Sequence, residues 1–290
     1  MDVSHSCLDV DMQDLFGQDL TLSATVPSGI LVGCAGWSLS SAVASQFPGE
    51  GSHLERYARV LPAVEINSSF YRPHRASTYA RWRDSVPATF RFSVKLPREI
   101  THIRRLHDIS QEIDVFLDAA SNLGDRFGCL LVQMPPSLAF VADDATGLFA
   151  RLRERLDIPI ACEARHQGWF GPDAAELLGR FDIARVEADP QVAVEPAPAL
   201  YQGVVYVRLH GSPVIYHSDY PADYLKENAS RLIEHHRQGR QVWCIFDNTA
   251  SGAAVPNALA TGKLIVNQRS GGAGAGPGGG GGGLGYDGLP

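Results

Sequence analysis

The sequence predicts an α/β fold of the TIM-like (β/α)8 barrel class. Three observations point there. Eight short apolar runs rich in Val and Ile recur through the middle of the chain. Helical patterns lie between most of them. Each run ends in polar residues, so chemistry-bearing side chains gather at one end of the strands. An open doubly wound sheet would more typically carry a Gly-rich phosphate fingerprint after its first strand, and Gly33-Cys-Ala-Gly36-Trp37 is not G-x-G-x-x-G.

The runs cover residues 30–35, 63–67, 91–96, 129–133, 159–165, 183–189, 204–210 and 242–247. Apolar residues recur at helical spacing over 54–61, 113–120, 148–156, 174–181 and 224–236, with a short pattern over 253–259. Between the sixth and seventh strands, residues 190–200 are too rich in proline for a full helix, so a reduced helix is expected there.

The two ends differ from this middle. Residues 1–28 hold five aspartates and no Lys or Arg, and residues 271–290 hold 12 of the 29 glycines. The Gly-rich tail cannot bury enough apolar surface to offset its chain entropy. The expected division is an acidic, poorly ordered extension over 1–28, with at most a short helix near Met12 to Phe16, one barrel domain over 29–268, and a disordered Gly-rich tail over 269–290. The formal charge of -7 comes from 25 basic and 32 acidic residues. Six of the acidic residues lie in the two ends, which leaves residues 29–270 with 25 basic against 26 acidic, close to neutral. No signal-peptide pattern opens the chain and no apolar stretch approaches about 20 residues, so no membrane partner is expected. The five cysteines are odd in number and form no C-x-x-C; four sit in apolar runs, which favours a reducing, cytoplasmic setting over a disulfide framework.

In a barrel of this class the site lies at the C-terminal ends of the strands. Strand one ends at Gly36 and Trp37, strand two at Glu65 and Asn67, strand three at Lys95, and strand four at Gln133. Strand five ends at Glu163 and Arg165, strand six at Asp189, strand seven at Arg208 and His210, and strand eight at Asp247 and Asn248. Residues two apart on a strand share a face. Val64, Ile66, Cys162 and Leu209 between them are apolar and are expected to face the helices.

The charge is also uneven. From Arg72 to Arg105 the chain holds nine basic residues and two acidic ones. The loops after strands two and three carry Arg72, Arg75, Arg98, Arg104 and Arg105. With Lys95, Arg165 and Arg208 they would make the active face positive, which suits phosphate or carboxylate. Tyr71, His74, His102 and Trp37 are expected near the same face of the barrel and could stack a sugar or base. Glu65, Glu163, Asp189, His210 and Asp247 are residue types that hold hard cations, but no H-E-x-x-H or similar signature is present and the same carboxylates have cationic competitors. No cofactor is predicted, and a divalent metal is the minority reading.

The ordered set Gly33 to Trp37, Val64-Glu-Ile-Asn-Ser-Ser-Phe-Tyr-Arg72, Phe92-Ser-Val-Lys95, Thr101-His102, Gln133-Met-Pro-Pro136, Glu163-Ala-Arg-His166 with Trp169, Tyr206-Val-Arg-Leu-His-Gly211 and Asp247-Asn-Thr249 resembles the domain-of-unknown-function 72 (YecE-like) family over roughly residues 30–260. The resemblance implies a TIM-like barrel without a settled activity. The chain departs from the family pattern at Ser69, usually Thr, at Asp247, usually Asn, and in a loop after Trp37 that lacks a second Trp.

The sequence therefore favours an enzyme that binds a small anionic, phosphorylated or sugar-like ligand at the barrel mouth. Glu65 or Glu163 would serve as base and His210 as acid or its partner. Lys95, Arg165, Arg208 and Arg72 would bind the anion, and Trp37, Asn67, Tyr71, His102, Gln133, Asp189 and Asn248 would line the pocket. Two alternatives stand beside it: a nucleic-acid-binding or processing protein that uses the basic loops over 72–105, and a metal-assisted hydrolase or isomerase. The sequence assigns no oligomeric state.

Overall fold

Parallel strands are covered on both faces, so they read as near-continuous apolar runs, and that is how the middle of this chain is built. The computed structural model describes residue 22 and residues 26–193, 196–201 and 203–272. Among these, nine parallel strands form one sheet: β1 (Ile30–Cys34), β2 (Ala63–Ile66), β3 (Arg91–Lys95), β4 (Phe127–Gln133), β5 (Ile160–Glu163), β6 (Ile183–Arg185), β7 (Glu187–Asp189), β8 (Val204–Leu209) and β9 (Gln241–Phe246). Their spatial order is β6-β5-β4-β3-β2-β1-β9-β8-β7. The two outermost strands, β6 and β7, are consecutive in the chain with only Val186 between them, so the chain itself closes the sheet into a nearly complete barrel.

The expected sixth strand over 183–189 is thus split. Its first half pairs with β5 and its second half with β8. The Val186 N–H still reaches the Cys162 carbonyl at 3.0 Å, and the His210 N–H reaches the Asp189 carbonyl at 2.9 Å. No helix fills residues 190–193, 196–201 or 203 before β8, in keeping with the prolines there.

Among the described residues, α-helices surround the barrel at α1 (His53–Val60), α2 (Ala76–Asp84), α3 (Ser110–Ala120), α4 (Ala142–Arg155), α5 (Pro172–Arg180), α6 (Ala222–Arg237) and α7 (Ala254–Gly272). Helix α1 starts in a capping box in which Ser52 and Glu55 exchange side-chain-to-backbone hydrogen bonds. Helix α2 is absent from the periodicity because its buried face is Tyr79 alone. Helix α7 outruns the short 253–259 pattern. Thr261 and Gly262 weaken the helical signal there, yet Ile265 and Thr261 are fully buried and Gly262 faces Leu22. Leu22 and Val26, within the expected extension, are buried in the core, and α7 carries the chain to Gly272; the expectations for the rest of the two ends, including Cys7 and the short helix near Met12 to Phe16, lie outside the described residues. None of the helices described is long and apolar enough to cross a membrane.

Alternation along the strands sorts the core into two. Val64, Ile66, Cys162 and Leu209 pack outward with the helices, as expected. Leu31, Ala63, Cys129, Leu131, Ala161, Val204, Tyr206, Trp243 and Ile245 fill the barrel interior. Cys34, Cys129, Cys162 and Cys244 are free and buried, and burial pushes the Cys34 and Cys244 thiols up to about 12, so they act as small apolar groups.

The first two strands are locked by one hydroxyl. Tyr57 Oη accepts the Cys34 N–H at 2.9 Å and donates to the Ala63 carbonyl at 3.0 Å. Gly33 lies beneath it, and a Cβ there would stand 2.0 Å from the Ala63 carbonyl oxygen. Gly33→Ala is therefore expected to destabilise the barrel by about 1–3 kcal/mol. Urea unfolding should show a lower midpoint at an unchanged slope.

Candidate active site

The same alternation that fills the lower barrel with apolar side chains places charge at its top. Glu65 follows Ala63 on β2, Lys95 follows Ser93 on β3, Glu163 follows Ala161 on β5, and Arg208 follows Tyr206 on β8, each two residues on and hence inward. All four are buried, and Arg208 and Glu65 are fully so. Asp247 and His210 continue β9 and β8 into the mouth and are buried as well.

Arg208 is the centre of this layer. Its Nε and Nη2 donate to the two oxygens of Glu65 at 3.0 and 2.7 Å, its Nη1 donates to Glu163 Oε2 at 2.9 Å, and Nη2 lies 3.0 Å from Asp247 Oδ2. Burial works against its charge, but Asp247, Glu65 and Glu163 outweigh burial and hold it firmly protonated. Below it, the Tyr206 hydroxyl sits 3.0 Å from Glu65 Oε2 and 2.8 Å from Ser93 Oγ. Every nitrogen of Arg208 is thus engaged within the barrel.

The rim above sets the His210 ring between two carboxylates and a guanidinium. His210 Nε2 lies 2.8 Å from Glu163 Oε1, and His210 Nδ1 lies 3.0 Å from Asp247 Oδ2. Carboxylates only accept, so both bonds form together when both ring nitrogens carry protons. Arg165 supplies the other state. Its Nη2 lies 3.0 Å from the same Nε2, to which it can donate once that nitrogen has lost its proton. Arg165 Nε and Nη2 also hold Glu163 Oε1 at 3.0 and 2.7 Å. Burial alone would raise the Glu163 carboxyl, but Arg208, then His210 and Arg165, hold it well below the usual carboxylate range. Asp247 is lowered against burial in the same way, by Arg208 and His210.

Lys95 stands apart. Its Nζ donates to Asn67 Oδ1 at 3.1 Å and lies 4.3 Å from the centre of the Phe70 ring, but it makes no salt bridge among the described residues. Burial, then Arg208, pushes it down to about 8. His102 meets the same Phe70 ring edge-on at 4.9 Å, and its Nδ1 is 2.8 Å from Thr101 Oγ1. Burial, then Lys95, Arg98 and Arg165, pushes His102 down to about 4, so its ring is neutral at pH 7.

Not every candidate joins this cluster. Trp37 packs edge-on against Trp82 of α2 at 5.1 Å, on the helix side of the barrel. Tyr71 and Arg72 are exposed and line a groove of about 860 Å³ with Phe70, His74, Arg75 and Arg98. None of Glu65, Lys95, Glu163, Arg165, Arg208, His210 and Asp247 lines that groove. Asp189 accepts the Tyr220 hydroxyl at 2.7 Å, and Asn248 Nδ2 donates to the Ser218 carbonyl at 2.9 Å, so both position the loop after β8. Gln133 is half-buried, opposite Glu163 in the β4–β5 register. Four residues of the basic stretch are engaged with the chain itself: Arg83 pairs with Asp84, Arg91 holds the carbonyls of Ala88 and Phe90, Arg104 pairs with Glu99 and Glu112, and Arg105 holds Ser137.

Tyr206, Phe70 and Tyr220 enter the site without having been singled out from the sequence, and Ser69 stands out there only as a departure from the family pattern. Tyr206 was within reach, since 204, 206, 208 and 210 alternate inward together. Ser69 Oγ donates within hydrogen-bonding distance of the Lys95 carbonyl at 2.6 Å and the Ile66 carbonyl at 2.8 Å, fixing the turn after β2. Of the four carboxylates considered as metal ligands, Glu65, Glu163 and Asp247 converge on Arg208 and Asp189 binds Tyr220; no group of three or more His, Cys, Asp or Glu side chains among the described residues is arranged around a cation site.

Comparison with known proteins agrees with this architecture. The family described as "Protein of unknown function DUF72" matches residues 31–275. The UPF0759 protein YunF of Bacillus subtilis is 25% identical over 272 residues, covering 83% of this chain and 96% of that protein. The UPF0759 protein YecE of Escherichia coli K12 is 34% identical over 82 residues, 28% of this chain and 30% of that protein. Among solved structures, a DUF72 family protein of Thermotoga maritima superposes with a TM-score of 0.68 at 24% identity, covering 81% of this chain and 98% of that one. A DUF72 family protein of Enterococcus faecalis gives a TM-score of 0.68 at 22% identity, over 81% and 95% of the two chains.

Removing Arg208 takes away the cation that three buried carboxylates share. Arg208→Met is expected to cost about 3–5 kcal/mol in denaturant unfolding. In the native chain the lowered carboxyls of Glu163 and Asp247 contribute stability above the unfolded carboxyl pKa, and that stability is lost as the pH falls through their folded values. Circular dichroism against pH should therefore show acid unfolding below about pH 4, and Arg208→Met should move the transition to higher pH.

Proposed function

The chain belongs to the DUF72 family, and from the geometry of its barrel mouth we propose that it is an enzyme that binds a small anionic, phosphorylated or sugar-like molecule and moves protons on it with Glu163 and His210. The observation that carries this reading is the placement of the His210 ring. One imidazole nitrogen, His210 Nε2, lies within 2.8 Å of a carboxylate oxygen and 3.0 Å of a guanidinium nitrogen. A ring so placed is stabilised with its proton by Glu163 and without it by Arg165, the property a general acid–base needs. Asp247 holds the far nitrogen and so fixes the ring's orientation.

The roles divide by depth. Glu65 and Arg208 are fully buried and bound to each other, so they serve as the floor that positions Glu163 and Asp247, and we assign neither base nor anion binding to them. Arg165 is the guanidinium at the rim, with 18% of its side chain exposed and no partner at Nη1 among the described residues. Together with Lys95 Nζ it offers unspent N–H donors to an anion. The attraction is local rather than a broad positive field. Glu65, Glu163 and Asp247 balance Arg208, Arg165 and protonated Lys95, so the cluster is neutral while the His210 ring is neutral.

The nucleic-acid reading draws less support, because Arg83, Arg91, Arg104 and Arg105 are engaged with their own chain. The metal-assisted reading would need carboxylates that Arg208 already gathers.

A thermal-shift screen of phosphorylated metabolites is expected to find compounds that raise the melting temperature, since a ligand for the native state alone stabilises it. Arg165→Ala should abolish the shift. With a compound so identified, His210→Gln and Glu163→Gln are each expected to lower kcat by about 10²–10⁴-fold while the variants still fold. Full activity in either variant would sink the acid–base assignment.

A further inference from the structure

We propose that Lys95 is a nucleophilic amine that forms an imine with the carbonyl carbon of a small anionic aldehyde or ketone held at the barrel mouth; this deepens, and rests on, the anion-binding reading above. Four observations support it. The chain holds only three lysines, Lys95, Lys226 and Lys263, against 22 arginines. Lys226 and Lys263 are exposed on α6 and α7, whereas Lys95 is 4% exposed inside the barrel. Where this chain needs only a buried positive charge it uses arginine, as at Arg208; lysine differs in being able to give up its proton and act as a nucleophile.

Second, Lys95 is the mouth cation that the carboxylates do not pair. Glu65, Glu163 and Asp247 turn to Arg208, Arg165 and His210. A buried ammonium left with one amide oxygen and a ring face is costly and is relieved by losing its proton. The lowered proton affinity of Lys95 agrees with that geometry. Third, Lys95 follows Ser93 on β3, and Ser93 is bonded to Tyr206 within the barrel, so the amine stands on a rigid strand directed at the same mouth as His210. Fourth, a proton carrier adjoins it: neutral His102 packs on the same Phe70 ring.

The step balances without a cofactor. The Lys95 nitrogen lone pair attacks the carbonyl carbon, a C–N bond forms, and the carbonyl π electrons move to oxygen. A proton passes from nitrogen to oxygen, with His102 as carrier, to give a carbinolamine. The doubly protonated His210 ring gives a proton to that hydroxyl, which departs as water while the nitrogen lone pair forms C=N, leaving a protonated imine and a neutral imidazole. Nothing is oxidised or reduced. The protonated imine then withdraws electrons from the neighbouring carbon, whose proton is the one the Glu163–His210 relay would remove.

The test uses the full chain with dihydroxyacetone phosphate, glyceraldehyde 3-phosphate and pyruvate, each followed by sodium borohydride, which adds hydride to an imine and fixes it as a secondary amine. Peptide mass spectrometry then reads each of the three lysines. The expected result, with at least one of these compounds, is an adduct on Lys95 exceeding that on Lys226 and Lys263 by about tenfold or more, as the larger neutral fraction of a lowered amine gives. Lys95→Arg should keep the charge and lose the adduct. Lys95→Met removes a buried charge, so it should melt no lower than the native chain at pH 7. Glycerol 3-phosphate, which carries the anion without the carbonyl, separates the two readings. If it or the carbonyl compounds raise the melting temperature but no adduct forms on Lys95, the imine is overturned and anion binding stands. If no adduct forms on Lys95 and no compound shifts the melting temperature, both are overturned. Labelling confined to Lys226 and Lys263 also overturns the imine.

Discussion

Arg208 carries a positive charge at a position closed to water, and such a charge survives folding only where carboxylates are held around it. Three strands supply them: Glu65 from β2, Glu163 from β5, and Asp247 beyond the end of β9. No local segment could bring these together, because 143 residues separate Arg208 from Glu65 and 45 separate it from Glu163. Barrel closure through the split at Val186 is therefore a requirement of the charged layer as well as of the backbone. It puts β5 and β8 on either side of the same short segment, close enough for Arg208 and Glu163 to meet.

The floor in turn shapes the rim. Glu163 binds Arg208 through one oxygen and Arg165 and His210 through the other. Asp247 Oδ2 likewise serves both Arg208 and His210. The imidazole thus rests on two carboxylates that are themselves fixed from below. Support of this kind fixes a side chain's orientation within a narrow range. The arrangement also explains why a buried polar layer is tolerated in a small barrel: each member meets a partner of opposite charge or a hydroxyl, and Lys95 alone is left with weaker company.

How much of this was legible in the sequence follows from the same alternation. A barrel strand has an inside and an outside along its whole length, so Glu65, Lys95, Glu163, Arg208 and His210 could be read as inward from the apolar residues beside them. Tyr206 belongs to the same parity and was equally readable. The loops obey no such rule. Trp37, Tyr71 and Arg72 follow strand ends in sequence, yet the turn fixed by Ser69 and the packing of Trp37 on Trp82 carry them away from the charged layer. Helix α2 left almost no pattern because one side chain, Tyr79, does its burying. Tyr220 reaches Asp189 and the Gly211 N–H from a loop, a contact with no local signature.

Charge counting exposes the largest gap between composition and site. The nine basic residues over 72–105 suggest a positive face, but a guanidinium counts toward binding only if its donors are unspent. Four of the nine are engaged with nearby carbonyls, hydroxyls or carboxylates of the chain. Within the mouth three carboxylates meet three cations. What an incoming anion would find is therefore not a strong field but a few unspent N–H groups, at Arg165 Nη1 and Lys95 Nζ, beside a ring able to hold or release one proton. A site of that kind discriminates by the placement of donors more than by charge, because a ligand that fails to meet them leaves them buried and unpaired. That favours a small ligand with its charge and its reacting carbon a fixed distance apart over an extended polyanion, whose binding would rest on many exposed cations at once.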